Sequence, residues 1–469
     1  MYIHNLIEDN LSRLKLYDKS GHFIEHDRFK KEYLSVKSYL LEKYNSDDIV
    51  AIRLDKDYKY FLTILACMSI RLTYIPLNTE WPDKRIKQIK KLSGCAVIEE
   101  NDIEFDRVIT TNPTIQYDSE ILYIIFTSGS TGEPKGVKIK RVGYENFLIW
   151  TDDYFTKINE SDRMLLTTDF TFDISLGDIA LFLTKQLSLY ISNFNNNIFK
   201  MLFELEQYKI TTHLTVPYNY SMLMHNNVYG KGDMSHLKHI MLGGARFPYN
   251  LYYSFKEKLP SCDIYNYYGP TETTIFSSIH KLSYKEEGEL DKNNISVGEP
   301  ALNNYFKIQN GELLIAGKQL MSDYLNNPQK TAESFVTIDN ELYYKSGDMV
   351  FKNSKGNYFV VGRNDDTIKV VGYRVNLSDI DSYILDIDYI NNVATIAIGN
   401  EDGENILVSF VILNDKDDID VKKIRGDLKK IMPSYQIAKY IKIVEVFPLN
   451  NSGKICKRTL KQMFLDKKK

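Results

Sequence analysis

From Phe126 to Gly136 the chain reads FTSGSTGEPKG, directly after the apolar run Ile121–Ile125. Thr127, Ser128, Gly129, Ser130, Thr131, Gly132 and Lys135 bring hydroxyls, permissive backbone and one cation into a single loop. Glycines after a buried strand let successive backbone N–H groups turn inward as an anion-binding nest, and hydroxyls add donors. Phosphate is the guest that such a loop fits; a flexible surface loop is the alternative that composition leaves open. P-loop chemistry is excluded by spacing, because GxxxxGK[ST] counted from Gly129 needs glycine at 134, where Pro134 stands.

Three further segments carry residues that could act on a phosphate ester: NYYGPTETT (Asn266–Thr274), YKSGDMV (Tyr344–Val350) and PLNNSGKICKR (Pro448–Arg458). Taken singly, each also reads as a turn after a strand, a plain turn aspartate and one more surface lysine. Taken in order, they resemble the signatures of the adenylate-forming enzymes: the acyl-CoA ligases, the luciferases and the adenylation domains of nonribosomal peptide synthetases. YIIFTSGSTGEPKGV (Tyr123–Val137) resembles the phosphate loop of that family, and GRNDDTIKVVGYRVN (Gly362–Asn376) resembles its hinge and the first strands of its small domain. YIPLNTEWPDKRI (Tyr74–Ile86) matches an earlier structural motif, so the likeness spans nearly the whole chain. It is closest to the standalone enzymes that activate amino acids.

The resemblance implies attack of a substrate carboxylate on the α-phosphorus of ATP, giving an acyl adenylate and pyrophosphate. A carboxylate is itself a nucleophile, so the protein must align two anions and stabilise charge on the phosphoryl oxygens. By analogy with the family, Thr127–Gly132 and Lys135 hold the β- and γ-phosphates, Thr271 donates to the α-phosphate, and Glu272 is the Mg²⁺ ligand. Gly244, Asn266, Tyr267, Tyr268 and Gly269 line the nucleotide site, with the Tyr268 ring facing adenine. Asp348, expected in a tight turn, accepts from the ribose hydroxyls, and Arg363 lies nearby. Val360 stands where relatives often place an aromatic residue near the nucleotide, and Asn376 where they usually carry glutamate. Lys454, behind the flexible Gly453, is the expected catalytic cation of adenylation. The small domain is expected to swing about Asp365, with Gly372 and Arg374 facing the acceptor tunnel in its second orientation; Gly372 could equally be a strand bulge.

FTFDISLGD (Phe170–Asp178) speaks to the substrate. Amino-acid-activating members place an aspartate after this phenylalanine, here Asp173, against the substrate ammonium. A buried carboxylate needs a cation, and an amino acid supplies one; the competing reading is an aspartate capping a helix start. The matching pocket positions are Ile174, Gly177, Thr215, Met241, Gly243, Tyr267, Ile275 and Phe276, with Lys454 reaching the carboxylate. The lining is apolar, which implies a small to medium neutral amino acid. D-alanine–carrier-protein ligases share the standalone layout but typically carry cysteine where Gly243 stands. An acyl-CoA ligase for a small organic acid and an inactive nucleotide-binding scaffold are the rival readings. The chain ends soon after Lys454, so the thiol acceptor is expected in trans, as a carrier protein or coenzyme A.

The elements that must position these residues follow from periodicity. Ile49–Leu54, Tyr58–Ile70 and Leu72–Leu77 read as strand, helix, strand, and Arg163–Thr168, Gln186–Ser192, Thr212–Val216 and His239–Gly244 add strands. This alternation predicts α/β layers with mainly parallel sheets and ligands at the carboxyl ends of strands. After residue 364 short strands and a charged surface helix (Asp417–Met432) predict a small mobile α+β domain. The expected division is 1–363 for the large AMP-binding domain and 364–469 for the small one. The 469 residues carry a net charge of −3, with 43% hydrophobic and 26% charged residues, a balance that excludes a general pull toward nucleic acid or anionic membranes. Four scattered cysteines point to free thiols. The sequence shows neither a signal peptide nor a membrane span and predicts a cytoplasmic protein. His236 and His239 are expected to be a helix-end pair, not a metal site.

Overall fold

In the computed structural model, residues 2–107, 109, 119–127, 134–192, 194, 197–225, 230–245, 247, 249–284, 290–291, 294–363, 367–399, 404–413, 419–448 and 455–466 are described. Strands of two to seven residues form two mainly parallel sheets. One has eight strands, in the spatial order Lys15–Tyr17, Ser188–Ile191, Arg163–Leu166, Thr212–Thr215, His239–Leu242, Asp263–Tyr268, Ser278–Lys281 and Glu299–Pro300. Its pairs are parallel up to Asp263–Tyr268, and the last two strands run antiparallel. The other has five strands, Ala96–Ile98, Ile49–Ile52, Thr73–Pro76, Ile121–Thr127 and Lys135–Lys140, of which only the final pair is antiparallel. Such strands are buried on both faces and therefore read as continuous apolar runs.

The helix Tyr58–Ile70 shows why the layers hold. Asp57 caps it by accepting from the Tyr58 N–H, Arg71 ends it in the left-handed conformation, and every side chain between except Lys59 is buried. A helix that is apolar around its circumference must be covered on all sides. It joins the core formed by Phe61, Phe147, Phe170, Phe182 and Tyr123.

A third sheet departs from the parallel expectation. Asn304–Gln309, Glu312–Gly317, Glu341–Lys352, Phe335–Ile338 and Tyr358–Arg363 pair wholly antiparallel. Three of its four pairs are joined by short connections, which allow only this arrangement, since parallel neighbours need a crossover of a dozen residues or more. Asp348 lies inside the long Glu341–Lys352 strand, not in a tight turn. Gly347 takes φ 71° beside it, and the pairing register slips on either side, so the feature is a bulge in a continuous strand.

Beyond residue 366, Thr367–Val370 and Tyr373–Asn376 form a hairpin, and Ile390–Gly399, Asn405–Leu413 and Tyr440–Ile443 form a separate three-stranded sheet. Its cores, around Ile380, Leu407 and Ile424 and around Phe410 and Leu460, include no residue from before 368. The molecule is thus a mixed α/β fold with large sheets, followed by a smaller α+β unit. The expected surface helix is shorter than predicted, Val421–Leu428, with Asp420 as its cap.

Candidate nucleotide and carboxylate site

The strand Ile121–Thr127 leads into the glycine-rich loop. Thr127 pairs in register with Lys135, which starts the return strand; Ser128, Gly129, Ser130, Thr131 and Gly132 lie outside the described residues. The Lys135 ammonium stands 6.0 Å from the centroid of the Tyr324 ring. Burial and the neighbouring Arg374 push its pKa below the usual lysine value.

Glu272 sits in a 3₁₀ turn, Thr271–Thr273, just past the carboxyl end of the strand Asp263–Tyr268. Gly269 is required at the approach to this turn, since a Cβ there would lie 2.6 Å from both the Ile275 carbonyl oxygen and Phe276 Cα. The Glu272 carboxylate is 1% exposed. It accepts from the Tyr324 hydroxyl at 2.7 Å and from Arg374 Nη1 at 2.8 and 2.9 Å. Burial alone would raise its pKa; Arg374 and the Tyr324 hydroxyl more than offset that and hold it below the ordinary carboxylate value.

Arg374 arrives from the hairpin that follows residue 366. Val371 (φ 48°) and Gly372 (φ 82°) form its two-residue turn, so Gly372 is a hairpin turn residue and not a bulge within one strand. The turn is driven into the cleft: a Cβ on Gly372 would lie 2.4 Å from Val216 Cγ1. Tyr373 next to it stacks between Phe172, at 5.2 Å, and Tyr435, at 4.0 Å.

Asp173 precedes the helix Ile174–Lys185 but makes no side-chain capping bond to it, which removes the helix-cap reading. It is 5% exposed. Burial pushes its pKa up to about 6 against the pull of a hydrogen bond from Thr271 and the attraction of Lys369. Together with Ile174, Gly244, Gly269, Thr271 and Asp348, Asp173 lines one cleft of about 40 Å³ that the hairpin roofs with Lys369, Gly372 and Arg374. Ile275 and Phe276 also face this cleft. Met241 lies within the strand His239–Leu242, Gly243 just past it and Thr215 at the end of the neighbouring strand; all three are buried, and the Thr215 hydroxyl accepts from Asn219.

The nucleotide-side residues are arranged less freely than their types alone imply. The Tyr268 hydroxyl donates to Asp348 Oδ2 at 2.6 Å, so one carboxylate oxygen already has a partner. The Tyr268 ring packs with Val297, Leu313, Tyr358 and Val360 and is 7% exposed. Asn266 spends its amide on the Ser296 carbonyl. Arg363 pairs in register with Asp348, but its side chain is outside the described residues, as are Asp365, Gly453 and Lys454. His239 opens a strand, with Asp263 3.8 Å away, so the helix-end reading of His236 and His239 fails. Among the described residues no group of three or more His, Cys, Asp or Glu could hold a metal, and no helix is long and apolar enough to cross a membrane. The described cysteines are free.

Sequence reasoning missed Tyr324 and Gln319. Tyr324 reaches Glu272 across 52 residues of chain, and no local pattern marks it. Gln319 is described below.

Comparison with known proteins bears on this geometry. The model of the AMP-binding enzyme family matches residues 13–325. Bacitracin synthase 1 of Bacillus licheniformis is 30% identical over 419 residues, covering 85% of this chain and 8% of that protein. Gramicidin S synthase 2 of Aneurinibacillus migulanus is 28% identical over 453 residues, covering 88% and 10%. The chain therefore spans about a tenth of the length of these relatives. Among solved structures, the amide bond synthetase McbA of Marinactinospora thermotolerans superposes with a TM-score of 0.86 at 16% identity, covering 98% and 99% of the two chains. The Vibrio cholerae adenylation domain AlmE, solved in complex with glycyl-adenosine-5'-phosphate, superposes with a TM-score of 0.83 at 22% identity, covering 99% and 97%.

Proposed function

Since the chain belongs to the AMP-binding enzyme family, and is an adenylate-forming enzyme like the adenylation domains of peptide synthetases, we propose that it activates an amino acid with ATP and passes it to the thiol of a separate phosphopantetheinylated carrier protein. One carboxylate oxygen of the amino acid attacks the α-phosphorus; the α–β bridging P–O bond breaks and pyrophosphate leaves with that electron pair. The acceptor thiolate then attacks the carbonyl carbon of the mixed anhydride, and AMP departs.

The observation that carries this reading is Asp173: a buried carboxylate on the cleft wall that caps no helix and that burial holds above the ordinary carboxylate range. A substrate ammonium would fill that place, and a simple organic acid has none to offer. On the nucleotide side, Thr127 and Lys135 flank the glycine-rich loop where phosphates would lie, Thr271 meets the α-phosphate, and the Asp348 carboxylate, on the wall of the cleft, would meet a ribose hydroxyl. Mg²⁺ would neutralise phosphate charge, and Glu272 fits it as an ionised, enclosed carboxylate. Both Glu272 oxygens contact Arg374 here, so the metal and Arg374 are alternative partners. This supports reading the present arrangement as the acceptor-facing one, with 1–363 and 364–469 as the two moving units and Lys454 delivered by the other orientation. Glycine at 243 supports an activity other than that of the D-alanine–carrier-protein ligases.

ATP–pyrophosphate exchange across L- and D-amino acids and small organic acids tests the reading. Exchange is expected with one or a few neutral amino acids, and exchange with organic acids alone would overturn it. Lys454→Ala is expected to slow exchange at least about a hundredfold, roughly 3 kcal/mol of transition-state stabilisation. Exchange at the unmodified rate would remove Lys454 from the mechanism.

A further inference from the structure

Thr274 (φ 57°) and Ile275 (φ 70°) are consecutive β-branched residues in the left-handed region, a conformation that such side chains adopt only when their surroundings impose it. The imposing group is Gln319, 1% exposed. Its side-chain Nε2 donates to the backbone carbonyls of Thr274 and Phe276 at 3.1 and 2.8 Å, and the backbone carbonyl of Gln319 accepts from the Thr274 hydroxyl at 2.6 Å. The strained pair turns the chain so that the next ring, Phe276, enters the substrate cleft.

That ring occupies the space that two glycines would otherwise open. A Cβ on Gly243 would lie 2.4 Å from Phe276 Cε1, and one on Gly177 would lie 2.7 Å from Leu214 Cδ2 and 3.6 Å from Phe276 Cε2. The missing side chains therefore do not deepen the pocket: the one at 243 makes room for Phe276, and the one at 177 makes room for Leu214, with Phe276 in contact beside it. The ring is fixed in turn by stacking on Tyr267, with centroids 4.2 Å apart and planes 17° from parallel. Behind them stands Trp150, edge-on to Tyr267. Rings locked in this way have no place to retreat, and forcing extra methylenes against them is destabilising.

Resting on the amino-acid reading above, we propose that the substrate is glycine, and that Phe276, aimed by Gln319, is the residue that excludes every side chain. Asp173 supplies the ammonium anchor on one wall; Phe276 closes the cleft where a side chain would project.

The test is exchange by the full chain with glycine, alanine, serine, valine and leucine, for the unmodified protein and for Phe276→Ala and Phe276→Leu. Binding of glycyl-, alanyl- and leucyl-sulfamoyl-adenosine is measured alongside, because it does not depend on turnover. Glycine is expected to exceed alanine by about tenfold and leucine by a hundredfold or more, the range a pocket wall achieves against added methylenes. Phe276→Ala is expected to shift the leucine-to-glycine ratio by at least about tenfold in both assays, and Phe276→Leu to shift it less. Preference of the unmodified protein for valine or leucine, or an unchanged ratio in both folded variants, overturns the glycine assignment and leaves amino-acid activation standing. Exchange with organic acids alone overturns both.

Discussion

Asp173 and Glu272 are buried carboxylates beside one cleft, in opposite electrostatic conditions. At Asp173 burial prevails over the Thr271 hydroxyl and Lys369, and the pKa climbs to about 6. At Glu272 burial is overcome by Arg374 and the Tyr324 hydroxyl, and the pKa drops. The contrast shows where each anion finds its cation. Glu272 receives one from the hairpin of the small unit, whereas at Asp173 the proposed function has the substrate bring the cation. A raised pKa is not enough by itself to mark such a place. Asp178, five residues further along the same helix, is fully buried with both oxygens unpaired among the described residues, and burial drives its pKa up despite Lys56. It does not line the cleft and lies wholly in the core.

Breaking the Asp173 side of the comparison should have the largest effect. Asp173→Asn is expected to lower amino-acid-dependent exchange by about three orders of magnitude, because leaving a buried charge unpaired costs roughly 3–5 kcal/mol. The ligand-free thermal midpoint should hold or rise. Exchange within tenfold of the unmodified protein would show that Asp173 meets no ammonium.

The Glu272 side predicts a different split. Arg374→Met should slow thioester formation on a carrier protein by about ten- to a hundredfold, or roughly 1.4–2.8 kcal/mol, since the hairpin then docks against an uncompensated carboxylate. Exchange should stay within about threefold, because the nucleotide then has Glu272 to itself. Equal losses in both half-reactions would mean that Arg374 serves the fold and not one orientation.

The smallest effect is the pH dependence. Asp173 must be ionised to hold an ammonium, so the amino-acid KM should rise as pH falls below about 6, approaching tenfold per pH unit. A KM flat down to pH 5 would contradict this. Stability runs the other way. The folded pKa exceeds the unfolded value near 3.8, so the contribution of this group is complete below that value and is lost as pH rises through about 6. Asp173→Asn should therefore match or exceed the unmodified protein in stability at pH 8, as measured by denaturant melts.

Much of this was legible in advance where the signal is local. The helix Tyr58–Ile70 appears with the bounds that its apolar run predicts, because burial around its circumference writes itself into consecutive residues. Asp173 was legible from its neighbours in FTFDIS. The bulge at Asp348 was not: Ser-Gly-Asp has the chemistry of a turn, and only pairing on both sides made it part of a strand. Nor was the partner of Glu272, which lies 102 residues away.

The sequence by itself determined the family, the alternation of strands and helices, and the chemical types facing the cleft, since each is a matter of residue identity at short spacing. Only the tertiary structure decided which cation Glu272 holds and that Phe276 fills the room above Gly243. Both depend on contacts between distant segments. Gln319 can impose a left-handed backbone on Thr274 and Ile275 only after the chain has brought it there, and an electrostatic shift exists only once water has been removed from around the charge.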